Sequence, residues 1–137
     1  MKQKLPMILL AAVVFATVIE SVTAILDAVT IGVTNQLSSS NGGGAVVLIV
    51  HCQSGDNDLG GQETDVGSRY TWHFVTNLFG GTYFWCDLDL GDRRLSFTAF
   101  DQEKRGRFAS EFYVGDGGVY KEFGCGGNPI VAWRPKG

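Results

Sequence analysis

A chain of 137 residues that is 45% hydrophobic and 12% aromatic, with 19 glycines, has the length of one domain and too many aromatics to remain disordered. Its net charge of −3 at pH 7 argues against sequence-independent nucleic-acid binding and against docking on anionic lipid. The first glycine is Gly32, so two regions of different character meet near that point.

The first region runs from a basic start (Lys2, Lys4) through an apolar stretch, Met7 to Ile19, to Val22-Thr23-Ala24, with small residues at the spacing of a cleavage site. These features predict a secretory signal peptide over residues 1–24. The apolar stretch is shorter than the about 20 residues that cross a bilayer, so no stable membrane insertion is expected. Residues 25–137 are expected to form one secreted, extracellular domain. In that oxidising compartment Cys52 and Cys86 can pair, which leaves Cys125, inside Gly124-Cys125-Gly126-Gly127, as a free loop thiol or the site of an intermolecular bond.

Beyond the leader, apolar and polar residues alternate in short runs bounded by glycine or aspartate, the pattern of strands. Ala28 to Asn35 comes first, with Val29, Ile31 and Val33 on one face. After a loop from Ser38 to Gly44, Ala45 to Cys52 is apolar on both faces and reads as a central strand buried on both sides, with Val46, Leu48, Val50 and Cys52 sharing one face. Gln62 to Val66 is a weak short strand. Tyr70 to Thr76 carries Tyr70, Trp72 and Phe74 on one face, and Thr82 to Leu88 carries Phe84, Cys86 and Leu88 on one face with Tyr83 and Trp85 on the other. Both cysteines thus travel with core faces, compatible with a bond across the core. Arg94 to Asp101, Arg107 to Val114, Gly118 to Phe123 and Ile130 to Arg134 complete the series. No segment after the leader has helical apolar spacing over ten residues. The expected class is all-β, a single small antiparallel β-sandwich of about eight or nine short strands.

Groups that could do chemistry are few. His51 and His73 are the two histidines, and both fall mid-strand, where an imidazole packed or hydrogen-bonded in the sheet is expected rather than an acid–base pair. Asp56-Asn57-Asp58-Leu59-Gly60-Gly61 begins like a calcium loop but has Gly67 where a bidentate glutamate is needed; a turn capped by its own Asx side chains is expected. Asp87, Asp89 and Asp92 beside Arg93 and Arg94 read as a solvated, ion-paired hairpin end. Cys52 and His51 are consecutive in a strand and point to opposite faces, so they form no thiolate pair. No metal, cofactor or catalytic residue is expected. Exposed aromatics such as Tyr83, Trp85 or Tyr113 could stack on sugar rings, which keeps a carbohydrate-binding module as an alternative, beside a small two-histidine hydrolase.

The run from His51 through Cys52-Gln53-Ser54-Gly55-Asp56-Asn57-Asp58-Leu59 to Gly60, then Trp72-His73-Phe74, Gly81-Thr82-Tyr83-Phe84-Trp85-Cys86 and Asp116-Gly117-Gly118-Val119-Tyr120, resembles in order the plant self-incompatibility S1 family, the S-protein homologues. The likeness extends from Val29-Thr30-Ile31 and Asn35-Gln36-Leu37 to Trp133. It implies a small, secreted, disulfide-stapled β-sandwich that catalyses nothing and acts as an extracellular signalling ligand, with a cell-surface receptor as partner and rejection of self pollen as the process in the founding members. It also implies a Cys52–Cys86 disulfide and recognition through loops, here Ser38 to Gly44, Asn77 to Gly80, Gly91 to Arg94 and Gln102 to Gly106. The candidate recognition residues are Ser39, Asn41, Asn77, Phe79, Asp92, Arg93, Lys104 and Arg105. A monomer is expected. Many members carry a second cysteine pair, but Phe108 to Val114, where one of its cysteines would fall, holds none.

Overall fold

The computed structural model of the chain describes residues 28–38, 47–104, 110–121 and 125–136; the expected signal peptide, and Ser39, Asn41 and Arg105 among the expected recognition residues, lie outside the described residues. In chain order the strands are β1 (Ala28–Asn35), β2 (Leu48–Gln53), β3 (Asp58–Thr64), β4 (Arg69–Val75), β5 (Tyr83–Asp89), β6 (Arg93–Asp101), β7 (Glu111–Gly115), β8 (Gly118–Lys121), β9 (Val131–Ala132) and β10 (Arg134–Pro135). They form two five-stranded sheets, ordered β4-β1-β7-β8-β9 and β10-β6-β5-β2-β3. Among the described residues no helix is long and apolar enough to cross a membrane.

The alternation read from the sequence puts one face of most strands inside. Ile31, Val33, Trp72, Phe112, Val114 and Val119 of the first sheet pack against Leu48, Val50, Cys52, Phe84, Cys86, Leu88 and Phe97 of the second. Phe97 meets Phe112 across the layers at 4.9 Å between centroids, and Phe84 meets Phe74 at 4.5 Å. The outer faces remain open to solvent. For that reason β2, although central in its sheet, is not buried on both sides as expected: Val47 and Ile49 are 40% and 39% exposed, because a two-layer sandwich covers each sheet on one face only.

Cys52 and Cys86 are bonded. The bond does not cross the core, however. Cys52 and Cys86 are direct neighbours in the antiparallel β2–β5 register, with Cα atoms 4.0 Å apart, so it joins adjacent strands of one sheet on its inner face. Cys125 is free and exposed.

One pairing departs from the antiparallel expectation: β7 runs parallel to β1, from Gly32 opposite Glu111 to Asn35 opposite Val114. No hairpin joins these strands, so no turn fixes their relative direction. Gly32, a glycine inside a strand, is explained at the same place. Arg69 of β4 and Glu111 of β7 reach across β1 and meet over it, Nε donating to Oε2 at 3.1 Å beside a second contact between Nη2 and Oε1. A Cβ on Gly32 would stand 2.5 Å from both partners.

The last strand, expected as one run from Ile130 to Arg134, is divided at Trp133. Val131 pairs with Val119 in the first sheet, whereas Arg134 pairs with Arg94 in the second. Trp133 bridges the change by donating its indole N–H to the Gly115 carbonyl at 2.9 Å. Gly118 makes room for this crossing, since a Cβ there would stand 2.0 Å from the Val131 carbonyl oxygen. With β3 leading directly into β4 on the other side, the chain bridges both edges of the sandwich.

Candidate functional site

The residues singled out as recognition candidates fall at opposite ends of the strands. β5 runs from the loop holding Asn77 and Phe79 to the hairpin holding Asp92 and Arg93, and at about 3.3 Å per residue its length separates the two by roughly 20 Å. Lys104 belongs to the Asn77 end.

At the Asp92 end the charges are answered from within the chain. Asp89 pairs with Lys136 at 2.8 Å and accepts from the Gly91 amide at 2.7 Å. Its carboxyl is thereby held below the usual range, the Lys136 contact being the larger cause. Asp92 lies 3.5 Å from Arg93 Nε, and the Arg93 guanidinium sits 5.7 Å from the centroid of the Trp133 ring. Asp87 accepts from the Ser96 hydroxyl. The ion-paired hairpin end expected from sequence is what forms, but Lys136 of the distant C-terminal strand is the partner that local spacing did not reveal.

The Asn77 end is different. Between β4 and β5 the chain turns through Asn77-Leu78-Phe79-Gly80-Gly81-Thr82. Gly80 and Gly81 hold φ values of 86° and 88°, which side chains with a Cβ rarely adopt. The loop is braced at its base: the Asn77 amide donates to the Thr82 hydroxyl at 2.8 Å and the Gly80 amide to the Asn77 carbonyl at 3.1 Å. Gln102, just past β6, clamps both sides, donating to the Asn77 carbonyl at 3.0 Å while its own side-chain oxygen accepts from the Thr82 amide at 2.9 Å. The tip is formed by apolar side chains. Leu78 is 54% exposed and Phe79 96%, the most exposed large hydrophobic residue among those described. Sequence reading proposed Phe79 but missed Gln102, whose role depends on β6 ending beside the start of β5.

Groups with catalytic potential are dispersed. His51 lies on the outer face of the second sheet, its Nε2 2.5 Å from Asp58 Oδ1; His73 is exposed on the outer face of the first. The two imidazoles cannot act on one substrate. Asp58 also accepts from the Gly60 amide at 2.9 Å, and this bond, with His51 second, holds its carboxyl below the usual range. That is the capped Asx turn expected at this place, although β3 begins at Asp58, four residues before the expected Gln62, because pairing with β2 takes Gly61 into the ladder opposite His51. Desolvation and the neighbouring Asp116 push the Cys125 thiol up, away from the thiolate a nucleophile needs. Among the described residues no cluster of metal-ligating side chains occurs.

The sequence matches the family described as plant self-incompatibility protein S1 over residues 30–129. It is similar to S-protein homolog 21 of Arabidopsis thaliana, 40% identical over 62 residues that make up 45% of this chain and 44% of that protein. S-protein homolog 74 and S-protein homolog 1 of the same plant are 34% and 30% identical over 53 residues, 39% of this chain and 35% of each relative. In each case the matched stretch spans less than half of the relative's length. No solved structure matches the chain.

Proposed function

Since the chain belongs to the plant self-incompatibility protein S1 family, we propose that it is a small extracellular ligand bound by a cell-surface receptor protein, with Leu78 and Phe79 as the apolar anchor of the contact. The observation that carries this reading is the near-complete exposure of Phe79 on a loop whose base is hydrogen-bonded from both sides. A phenyl ring left in water contributes nothing to folding, and an aromatic side chain held on a rigid loop loses little entropy when a partner covers it. Secretion is inferred from the leader-like residues 1–24. The family name points to self-incompatibility, and the setting proposed for the ligand is recognition between pollen and pistil, where it acts as a monomer without catalysis.

Labelled protein applied to pollen and to other plant cells tests the proposal. Saturable surface binding is expected, weakened at least about tenfold by Phe79→Ala with the thermal unfolding midpoint unchanged. Absence of saturable binding on every cell type refutes the ligand reading; full binding by the Phe79→Ala protein refutes the anchor.

A further inference from the structure

Two hollows meet at β5 and share Tyr83 and Trp85. One, of about 560 Å³, is bounded by Ser54, Asp56, Asn57, Asn77 and Thr82 and reaches the edges of Phe74 and Phe84. The other, of about 610 Å³, extends over Ser96 and Thr98 of β6 toward Val131. Both volumes lie in the range of small-ligand sites. We infer that this surface binds a neutral oligosaccharide, the aromatic pair stacking on sugar rings and the flanking hydroxyl and amide groups reading their hydroxyls.

The argument starts from the strand. Tyr83 and Trp85 are two residues apart, so both project outward from β5, with ring centroids 5.8 Å apart and planes inclined at 36°. Tyr83 is fixed further by the hydrogen bond between its hydroxyl and Thr98 Oγ1 at 2.8 Å, which lays its ring across two strands. The negative face of such rings attracts the polarised C–H groups on a pyranose face. What surrounds them selects the ligand. Side-chain hydroxyls line both hollows and the Asn57 and Asn77 amides line the first, and Asp56 is the one charged residue among the described residues that line either. With no cation among those described lining residues, phosphorylated, sulfated or uronate ligands have no counter-charge there. Asp56 accepts hydrogen bonds only, so it suits a ligand rich in donor hydroxyls over a proline-rich peptide, which brings carbonyls and few N–H groups. Tyr113, the third aromatic considered from sequence, lies on β7 of the other sheet and takes no part.

Soluble β-linked oligosaccharides of glucose, xylose and mannose, titrated into the full chain with tryptophan fluorescence and calorimetry as readouts, test the site. Saturable binding to at least one is expected, with a change in tryptophan emission. Tyr83→Ala and Trp85→Ala should each weaken it at least tenfold, Trp85→Phe should retain it, and Phe79→Ala should leave it unaltered, which separates this site from the proposed receptor contact. No binding to any of these sugars at about 10 mM, well above the millimolar range of weak specific sites, overturns the inference. So does binding confined to oligogalacturonate or to a proline-rich peptide, or binding that survives both alanine variants.

Discussion

Asn35 is the most deeply buried polar side chain among the described residues. It is fully buried at the end of β1, where its amide nitrogen donates to the Thr64 carbonyl at 2.8 Å and its side-chain oxygen accepts from the Leu37 amide at 3.0 Å. Its own amide donates to the Ser68 carbonyl and its own carbonyl accepts from Gly67. One residue thus ties β1 to the turn between β3 and β4, that is, one sheet to the other. Removing the side chain leaves a buried carbonyl and a buried N–H without partners, each costing about 1–3 kcal/mol. Asn35→Ala is therefore expected to lower the unfolding free energy by about 3 kcal/mol, measured by urea denaturation. Asn35→Asp keeps the acceptor for Leu37 but turns a second acceptor toward the Thr64 carbonyl, so it should do no better. A result for Asp close to wild type would mean that side-chain volume is what matters there. In the sequence Asn35 stands in a resemblance motif as an unexplained polar residue closing an apolar strand; its bonds to Thr64 and Ser68 depend on pairings that alternation does not reveal.

At the scale of elements, alternation of side chains located most strands because a sandwich buries one face of each and water covers the other. β1 falls on the expected residues, and β4 and β5 within one residue of them. Departures from strict alternation have local causes. In β6, Ala99 and Phe100 are consecutive and both buried, since the register against β5 shifts between Phe84 and Trp85 and leaves Ala99 as the extra residue of a bulge. In β3, Gly60 and Gly61 carry no side-chain pattern to read. The link between β2 and β5 is reinforced covalently. Closing a 34-residue separation stabilises the fold by about 4 kcal/mol if it acts by restricting the unfolded chain. Replacing both Cys52 and Cys86 by alanine should lower the urea midpoint accordingly and raise the denaturant dependence, because the freed chain exposes more surface on unfolding. A midpoint unchanged by the double replacement would show that the β2–β5 ladder holds without the bond.

At the scale of the whole molecule, sequence pattern says which residues face inward but not which strands are neighbours, so the parallel β1–β7 pair and the crossing at Trp133 were not legible. The candidate site was legible in part: the resemblance to the S1 family pointed to the loop that holds Phe79, whereas the Gln102 clamp required the tertiary fold. Whole-molecule electrostatics are likewise a product of the fold, because the carboxylates held below their usual range are distributed over it. Asp58 is stabilised as an anion chiefly by the Gly60 amide, Asp89 by Lys136, and Asp116 by the Ser38 hydroxyl and then the Ser38 amide, with bonds of 2.6 Å and 3.1 Å that anchor the chain leaving β1 to the β7–β8 turn. All three shifts have the same sign. A carboxyl that ionises more readily in the folded chain than in the unfolded one contributes stability that is present above the unfolded value of about 3.9 and is lost as pH falls through the lower folded value. The thermal midpoint should therefore be nearly level from pH 7 to about pH 5 as far as these groups are concerned, and fall below about pH 4. Asp116→Asn should lower the midpoint at neutral pH and reduce the drop on acidification, since asparagine has no carboxylate to take up the proton whose binding drives it. An equally steep acid transition in that variant would assign the loss to the other carboxylates.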